Sequence, residues 1–284
     1  MADKSVAETS KGERIAKVLS RAGVASRREA ERLIEAGRIA VNGKIIDSPA
    51  LNVTAADRLS FDGKPVAAPE PPRMWLYHKP AGLVTTERDE KDRPTVFAAL
   101  PEELPRVMSI GRLDLNSEGL LLLTNDGGVK RKLELPSTGW LRRYRVRIKG
   151  SLSEKSLDRL RNGIEVDGMR YQPIEAVFDR QQGANAWLTL ALREGKNREI
   201  RKVMEALGVT VNRLIRISYG PFQLGTLGLG EVEELKSRIV RDQLGLESRP
   251  QPQRSRNTSV SRSGKPGRAS KHAGNPNTGK NRQR

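Results

Sequence analysis

Cysteine is absent from this chain of 284 residues, which removes disulfides, thiolate nucleophiles and cysteine-ligated zinc. Histidine is nearly absent, with only His78 and His272. Two are too few for a histidine-rich metal cluster, and no Ser–His–Asp triad is evident. His78 reads as a packing residue at a strand end rather than as a catalytic base. No apolar run approaches the roughly 18 residues of a membrane span, and no signal-like hydrophobic segment lies near the start. A reducing cytoplasm is the expected location, with no membrane partner. Any chemistry must therefore come from carboxylates, basic groups, hydroxyls and phenols.

Basic residues are plentiful. The chain carries 52 Lys and Arg against 34 Asp and Glu, a formal net charge of +18. Ten of the basic residues and no acid follow Glu247, which leaves +8 on the remainder. Both the body and the tail are thus basic, as expected for a partner that is nucleic acid or another anionic surface.

Five segments are expected: a disordered start over 1–12, a small domain over 13–66, a Pro-rich linker over 67–73, a larger domain over 74–246 and a disordered basic tail over 247–284. From Glu13 the pattern is helical, with Ile15, Val18, Leu19 and Ala22 at helix spacing and Gly23 as the stop. Ser26 and Glu29 form a capping box for a second helix striped by Ala30, Leu33 and Ile34. Short strands are expected over 39–41, 44–46 and 58–61, with turns at Asn42-Gly43 and Asp62-Gly63. Arg21, Arg27, Arg28 and Arg32 are opposed only by Glu29 and Glu31. They form either a solvated helix face or a phosphate-binding one. The segment RIAKVLSRAGVASRREAERLIEAGRIAVNGKII resembles an S4-type RNA-binding domain, which favours phosphate contacts by Arg27, Arg28 and Arg32.

In the larger domain, strands are expected over 75–77, 120–124, 144–148, 186–192 and 214–218, and helices over 153–162 and 197–207. Periodicity alone leaves the class open between α/β and α+β. The most informative string is Gly111-Arg112-Leu113-Asp114-Leu115-Asn116-Ser117-Glu118-Gly119, followed by LLLLTNDG. It sets an acid two residues after an arginine and before a turn-prone segment. An apolar strand and the Asn125-Asp126-Gly127 turn signal follow. Such an arrangement can present a carboxylate to a polyanion.

The whole string resembles the catalytic motif of the pseudouridine synthases, in the branch that modifies ribosomal RNA (the RsuA/RluB branch). Tyr77-His78-Lys79-Pro80-Ala81-Gly82, Arg143-Tyr144-Arg145-Val146, Glu194-Gly195-Lys196-Asn197-Arg198-Glu199-Ile200-Arg201-Lys202 and Asn212-Arg213-Leu214-Ile215-Arg216 also match. The resemblance covers residues 13–245. It implies an α+β protein, an S4-like domain followed by a mixed, largely antiparallel sheet with flanking helices. It further implies Asp114 as catalytic nucleophile, Arg112 in base flipping and backbone contact, and Tyr144 stacked on the uracil. Lys196 is expected as the basic partner of Asp114, with Arg198 and Arg201 as alternatives or RNA contacts. The Tyr77–Gly82 segment is expected to be architectural. Ser117 stands where threonine is common and keeps the hydroxyl.

Uridine isomerisation involves no net redox change or group transfer, so no cofactor is expected. A low-dielectric pocket raises a carboxyl pKa, so the acid needs a cation to stay ionised. The long basic tail resembles the large-subunit (RluB) type, making 23S ribosomal RNA or an assembly intermediate the expected partner of a monomeric enzyme, with 16S RNA as the alternative. Two further readings compete: a non-enzymatic RNA-binding or ribosome-assembly protein of the same fold, and a nucleoside hydrolase or glycosidase. The last usually requires a second carboxylate, for which Glu118 can be nominated.

Overall fold

The computed structural model describes residues 12–245. The start and the basic arm read from the sequence lie outside the described residues, apart from Gly12. The chain divides into two compact units, 1–247 and 248–284, and the described residues all lie in the first.

Its N-terminal part opens with a two-residue strand, β1 (Glu13–Arg14), where the pattern suggested helix; helix α1 runs over Ile15–Arg21. The difference has a local cause. Glu13 and Arg14 pair antiparallel with Val53 and Asn52, while the Glu13 carboxylate turns back to accept from Lys17 and, at 2.7 Å, from Arg21. Helix α2 (Arg27–Glu35) starts where expected, with Ser26 Oγ accepting the Glu29 N–H at 3.2 Å. Only that half of the capping box forms, because the Glu29 side chain pairs with Arg32 at 3.1 Å. Strands β2 (Ile39–Val41), β3 (Lys44–Ile45), β4 (Asn52–Val53), β5 (Leu59–Phe61) and β6 (Lys64–Pro65) follow, four of them forming a sheet in the order β3-β2-β5-β6. Ile15, Leu19, Ala30, Ile34 and Ile39 make the buried core of this part.

The larger part contains β7 (Met74–Lys79), β8 (Met108–Ile110), β9 (Glu118–Thr124), α3 (Gly127–Glu134), β10 (Arg142–Lys149), α4 (Glu154–Arg161), β11 (Glu165–Val166), β12 (Met169–Arg170), β13 (Glu175–Gln182), β14 (Asn185–Leu192), α5 (Glu199–Ala206), β15 (Thr210–Tyr219), β16 (Phe222–Gln223), β17 (Val232–Glu234) and α6 (Ser237–Leu244). Nine strands form one sheet along the path β13-β14-β10-β15-β9-β7-β17, with β8 and β16 beside it. Every pairing is antiparallel except β9 with β15. The class is α+β with a mixed, largely antiparallel sheet. Side chains of α4 and α5 share one buried cluster with β10, β14 and β15; those of α3 and α6 share another with β7 and β9. No helix of the described residues is long and apolar enough to cross a membrane.

Helix α3 replaces the turn suggested by Asn125-Asp126-Gly127. Asp126 caps it, Oδ1 accepting the N–H groups of Gly128 at 2.7 Å and Val129 at 2.9 Å. The same signal that closes a hairpin can open a helix, since a short carboxylate beside glycines serves both. Asp126 also lies 3.6 Å from Arg21, a contact between α1 and the larger part.

The parallel junction is short, pairing Glu118 with Ile215 and Gly119 with Arg216. Gly119 has φ +104, and a Cβ there would lie 2.3 Å from the Arg216 carbonyl oxygen. Only glycine permits this approach, which joins the start of β9 to the middle of β15. Gly119→Ala is expected to cost at least about 1–3 kcal/mol from backbone strain alone. Denaturant unfolding checks this, and an unchanged midpoint would refute the steric argument.

Candidate active site

Asp114 sits in the loop between β8 and β9, not at a strand end, and is half-buried. Its carbonyl accepts the Ser117 N–H at 3.0 Å, closing a tight turn. The loop is fixed from three sides. Upstream, Thr85 Oγ1 accepts from the Leu113 N–H at 3.3 Å and donates to the Leu113 carbonyl at 2.8 Å. From α5, the Arg201 guanidinium donates to the Asn116 carbonyl at 2.8 Å and the Val211 carbonyl at 3.1 Å.

The third anchor is Lys79 at the end of β7, fully buried at 0% exposure. Its ammonium donates to the carbonyls of Pro80 at 2.9 Å, Asp114 at 3.2 Å and Ser117 at 2.9 Å, with that of Leu115 at 3.5 Å. Burial pulls its pKa down to about 8, opposed by the nearby charges of Asp114 and Glu118. Burial likewise lowers that of Arg201, helped by repulsion from Arg198 and opposed by Asp114. Asp114 therefore has two cations in electrostatic reach, Lys79 and Arg201.

Lys196, expected beside Asp114, is committed elsewhere. Its ammonium lies 3.0 Å from Glu194, donates to the Arg170 carbonyl at 2.5 Å and sits 5.1 Å from the centre of the Tyr171 ring. The physical reason is local: the hairpin β11–β12 and Glu194 offer acceptors directly beside it. Arg201, expected as an alternative partner of Asp114 or as an RNA contact, is turned inward onto the Asn116 and Val211 carbonyls. Glu118, the nominated second carboxylate, is held by Arg213 at 3.0 and 2.7 Å. His78 has its Nδ1 2.7 Å from the Leu227 carbonyl, in keeping with packing.

Asp114, Arg112, Tyr144, Lys196 and Arg198 line one cavity of about 330 Å³. Tyr144 is placed by β10, between Leu190 of β14 and Arg216 of β15. A second cavity of about 960 Å³ opens between α1, α2 and the larger part, walled by Lys17, Arg21, Arg27, Arg106 and Lys130. Arg112 lines both and is exposed. Arg28 and Arg32 are also exposed but belong to neither cavity, and Arg32 pairs with Glu29. Among the described residues, no cluster of His, Asp and Glu could hold a metal ion.

Residues 73–206 match the family described as RNA pseudouridylate synthase, and residues 13–59 match the S4 domain. An RNA pseudouridine synthase of Rickettsia prowazekii (strain Madrid E) is 45% identical over 231 residues, 81% of this chain and 97% of the relative. The chain belongs to the RNA pseudouridine synthases. RNA is thus its substrate, and isomerisation of uridine its activity. The ribosomal large subunit pseudouridine synthase B of Salmonella typhi is 40% identical over 218 residues, 75% of each chain. A crystal structure of a pseudouridylate synthase shares the fold, with TM-score 0.56 and 24% identity over 81% of this chain and 98% of its own.

Sequence reasoning gave Lys79 an architectural role without its contacts, and gave no role to Arg142 or Glu199, which line the same cavity as Asp114. Lys79 carries a signal, a cation closing the apolar run Met74–Tyr77. Lys79→Met is expected to lower unfolding free energy by about 2–4 kcal/mol, since buried carbonyls lose a charged donor. Urea unfolding checks this, with Lys79→Arg as a control that keeps the charge but not the fit.

Proposed function

We propose that the enzyme converts uridine to pseudouridine in large-subunit ribosomal RNA, with Asp114 as nucleophile and no cofactor. The observation that carries this reading is the meeting of Asp114, Tyr144 and Arg112 in one cavity that joins a basic groove through Arg112. The large-subunit assignment is supported by the name of the Salmonella relative.

In the reaction the bond from ribose C1′ to uracil N1 breaks and one from C1′ to C5 forms. N1 gains a proton and C5 loses one, so atoms and electrons balance without a co-reactant. Asp114 attacks the substrate or stabilises cationic sugar character; Lys79 and Arg201 hold its turn in place through the Asp114, Ser117 and Asn116 carbonyls. The target base must leave its stack, at a cost of a few kcal/mol, which a stacking ring and a side chain filling the gap offset. Tyr144 supplies the ring and Arg112 reaches into the RNA. Arg27 in the groove, with Arg28, Arg32 and Arg198 exposed, meets phosphates, which gives salt-sensitive affinity with little sequence information.

A glycosidase is disfavoured because Glu118 is tied to Arg213 and is not free to act as a second carboxylate. RNA binding without catalysis does not account for a half-buried acid fixed by three anchors.

The test is tritium release from C5-labelled ribosomal transcripts. Wild type is expected to release tritium from the large-subunit transcript. Asp114→Asn should release none while RNA affinity stays within about twofold, because only transition-state stabilisation is removed. Release from the small-subunit transcript alone would overturn the subunit assignment. Turnover retained by Asp114→Asn would overturn the nucleophile.

A further inference from the structure

The loop from Glu194 to Glu199 carries Lys196 and Arg198 into the wall of the cavity. It leaves β14 and enters α5 at Glu199, and between the two its side chains must hold it. Glu194 Oε1 accepts the Gln172 N–H at 2.6 Å, and Oε2 lies 3.0 Å from the Lys196 ammonium. Glu199 Oε2 accepts the Lys196 backbone N–H at 3.0 Å. Glu199 is only 3% exposed, and its Oε1 is buried with no donor to meet it. The two carboxyl groups thus converge on one residue, Glu194 on the Lys196 ammonium and Glu199 on the Lys196 N–H, with Glu199 Oε1 left over.

Two ionised carboxylates are acceptors only and cannot bond to one another. One shared proton makes them a donor–acceptor pair. We propose that Glu199 is a positioning residue whose proton, donated from Oε1 to Glu194, clamps the 194–199 loop so that Lys196 and Arg198 stay set against the cavity. The inference rests on the reading of that cavity as the uridine site.

The surroundings assign the proton to Glu199. Burial, then the charge of Glu194, pushes its pKa up to about 7. Glu194 is held below the ordinary carboxylate range: burial works against this, but the Gln172 N–H and Lys196 outweigh it. Other charged groups nearby do not replace the clamp. Arg142 of β10 is bonded to the Arg193 carbonyl and the Tyr219 hydroxyl. Arg170 of β12 presents its carbonyl, not its guanidinium, to Lys196. Glu165 of β11 is exposed. Arg216 of β15 lines the same cavity but spends its Nε on the Leu120 carbonyl at 2.7 Å.

When Glu199 ionises, two carboxylates face each other with Lys196 to offset one of them. The sign for stability follows from a folded-state pKa of about 7 above an ordinary 4.5. The folded chain binds the extra proton, so the clamp contributes fully below the lower value and is lost as pH rises through the upper one.

The experiment compares wild type, Glu199→Gln and Glu194→Gln by thermal unfolding and single-turnover tritium release across a pH series spanning that window. Glutamine keeps the shape, cannot ionise and donates from its amide. Wild type is expected to lose unfolding midpoint through the window, and to lose turnover about tenfold per pH unit above the inflection. Glu199→Gln should remove the inflection from both readouts while remaining active at neutral pH; Glu194→Gln, which leaves Glu199 buried but takes away the charge facing it, should move the inflection to lower pH. A wild-type inflection persisting in Glu199→Gln, or a Glu199→Gln chain that folds but is inactive at every pH, would overturn the clamp. If no chain turns over any transcript, the cavity's assignment fails, and the unfolding series still decides the clamp.

Discussion

A single buried ammonium organises the site. Lys79 closes a strand whose other residues are apolar or aromatic, and it meets the carbonyls of Pro80, Asp114 and Ser117 from within the core. Burying an ammonium is costly unless its hydrogen bonds are met. Here backbone oxygens meet them, and in return the turn that carries Asp114 is fixed to the end of β7, an interior strand of the sheet. Gly119 completes the constraint by bringing β9 onto β15 beneath that turn. The side chain of Asp114 is then free to face the cavity because its backbone is already occupied.

The cations divide by burial. Lys79 and Arg201 lie inward, bonded to carbonyls, and act on Asp114 through charge. Arg112, Arg198, Arg28 and Arg32 are exposed, and Arg27 faces the groove between the two parts. Inward cations fix the backbone of the turn that carries the carboxylate, whereas outward ones meet a polyanion whose phosphates dominate affinity. Lys196 belongs to neither class. It is spent on Glu194 and the Arg170 carbonyl, where it holds a loop.

Much of this was legible in the chain. The GRLDLNSEG string, the S-x-x-E cap and the apolar runs of β7, β9, β14 and β15 identified their elements, because each combines a period with a terminal signal. Helix α3 was hidden because Asn125-Asp126-Gly127 suits a hairpin as well as an N-cap. Strand β13 was hidden by its outward, mostly polar residues, with only Ala176 buried. The motif named Lys196 as the basic partner of Asp114, with Arg198 and Arg201 as alternatives, and spacing alone could not choose among them. Lys196 and Arg201 share one motif, and which of them turns inward depends on the β11–β12 hairpin and on Glu194. Those neighbours come from other parts of the chain.

The most direct measurement of the central claim is single-turnover tritium release by Arg201→Met beside Lys196→Met, with RNA affinity measured in parallel. Arg201→Met is expected to fall to the level of Asp114→Asn while still binding RNA, and Lys196→Met to lose far less. Full turnover by Arg201→Met, with the loss falling on Lys196→Met instead, would contradict that claim.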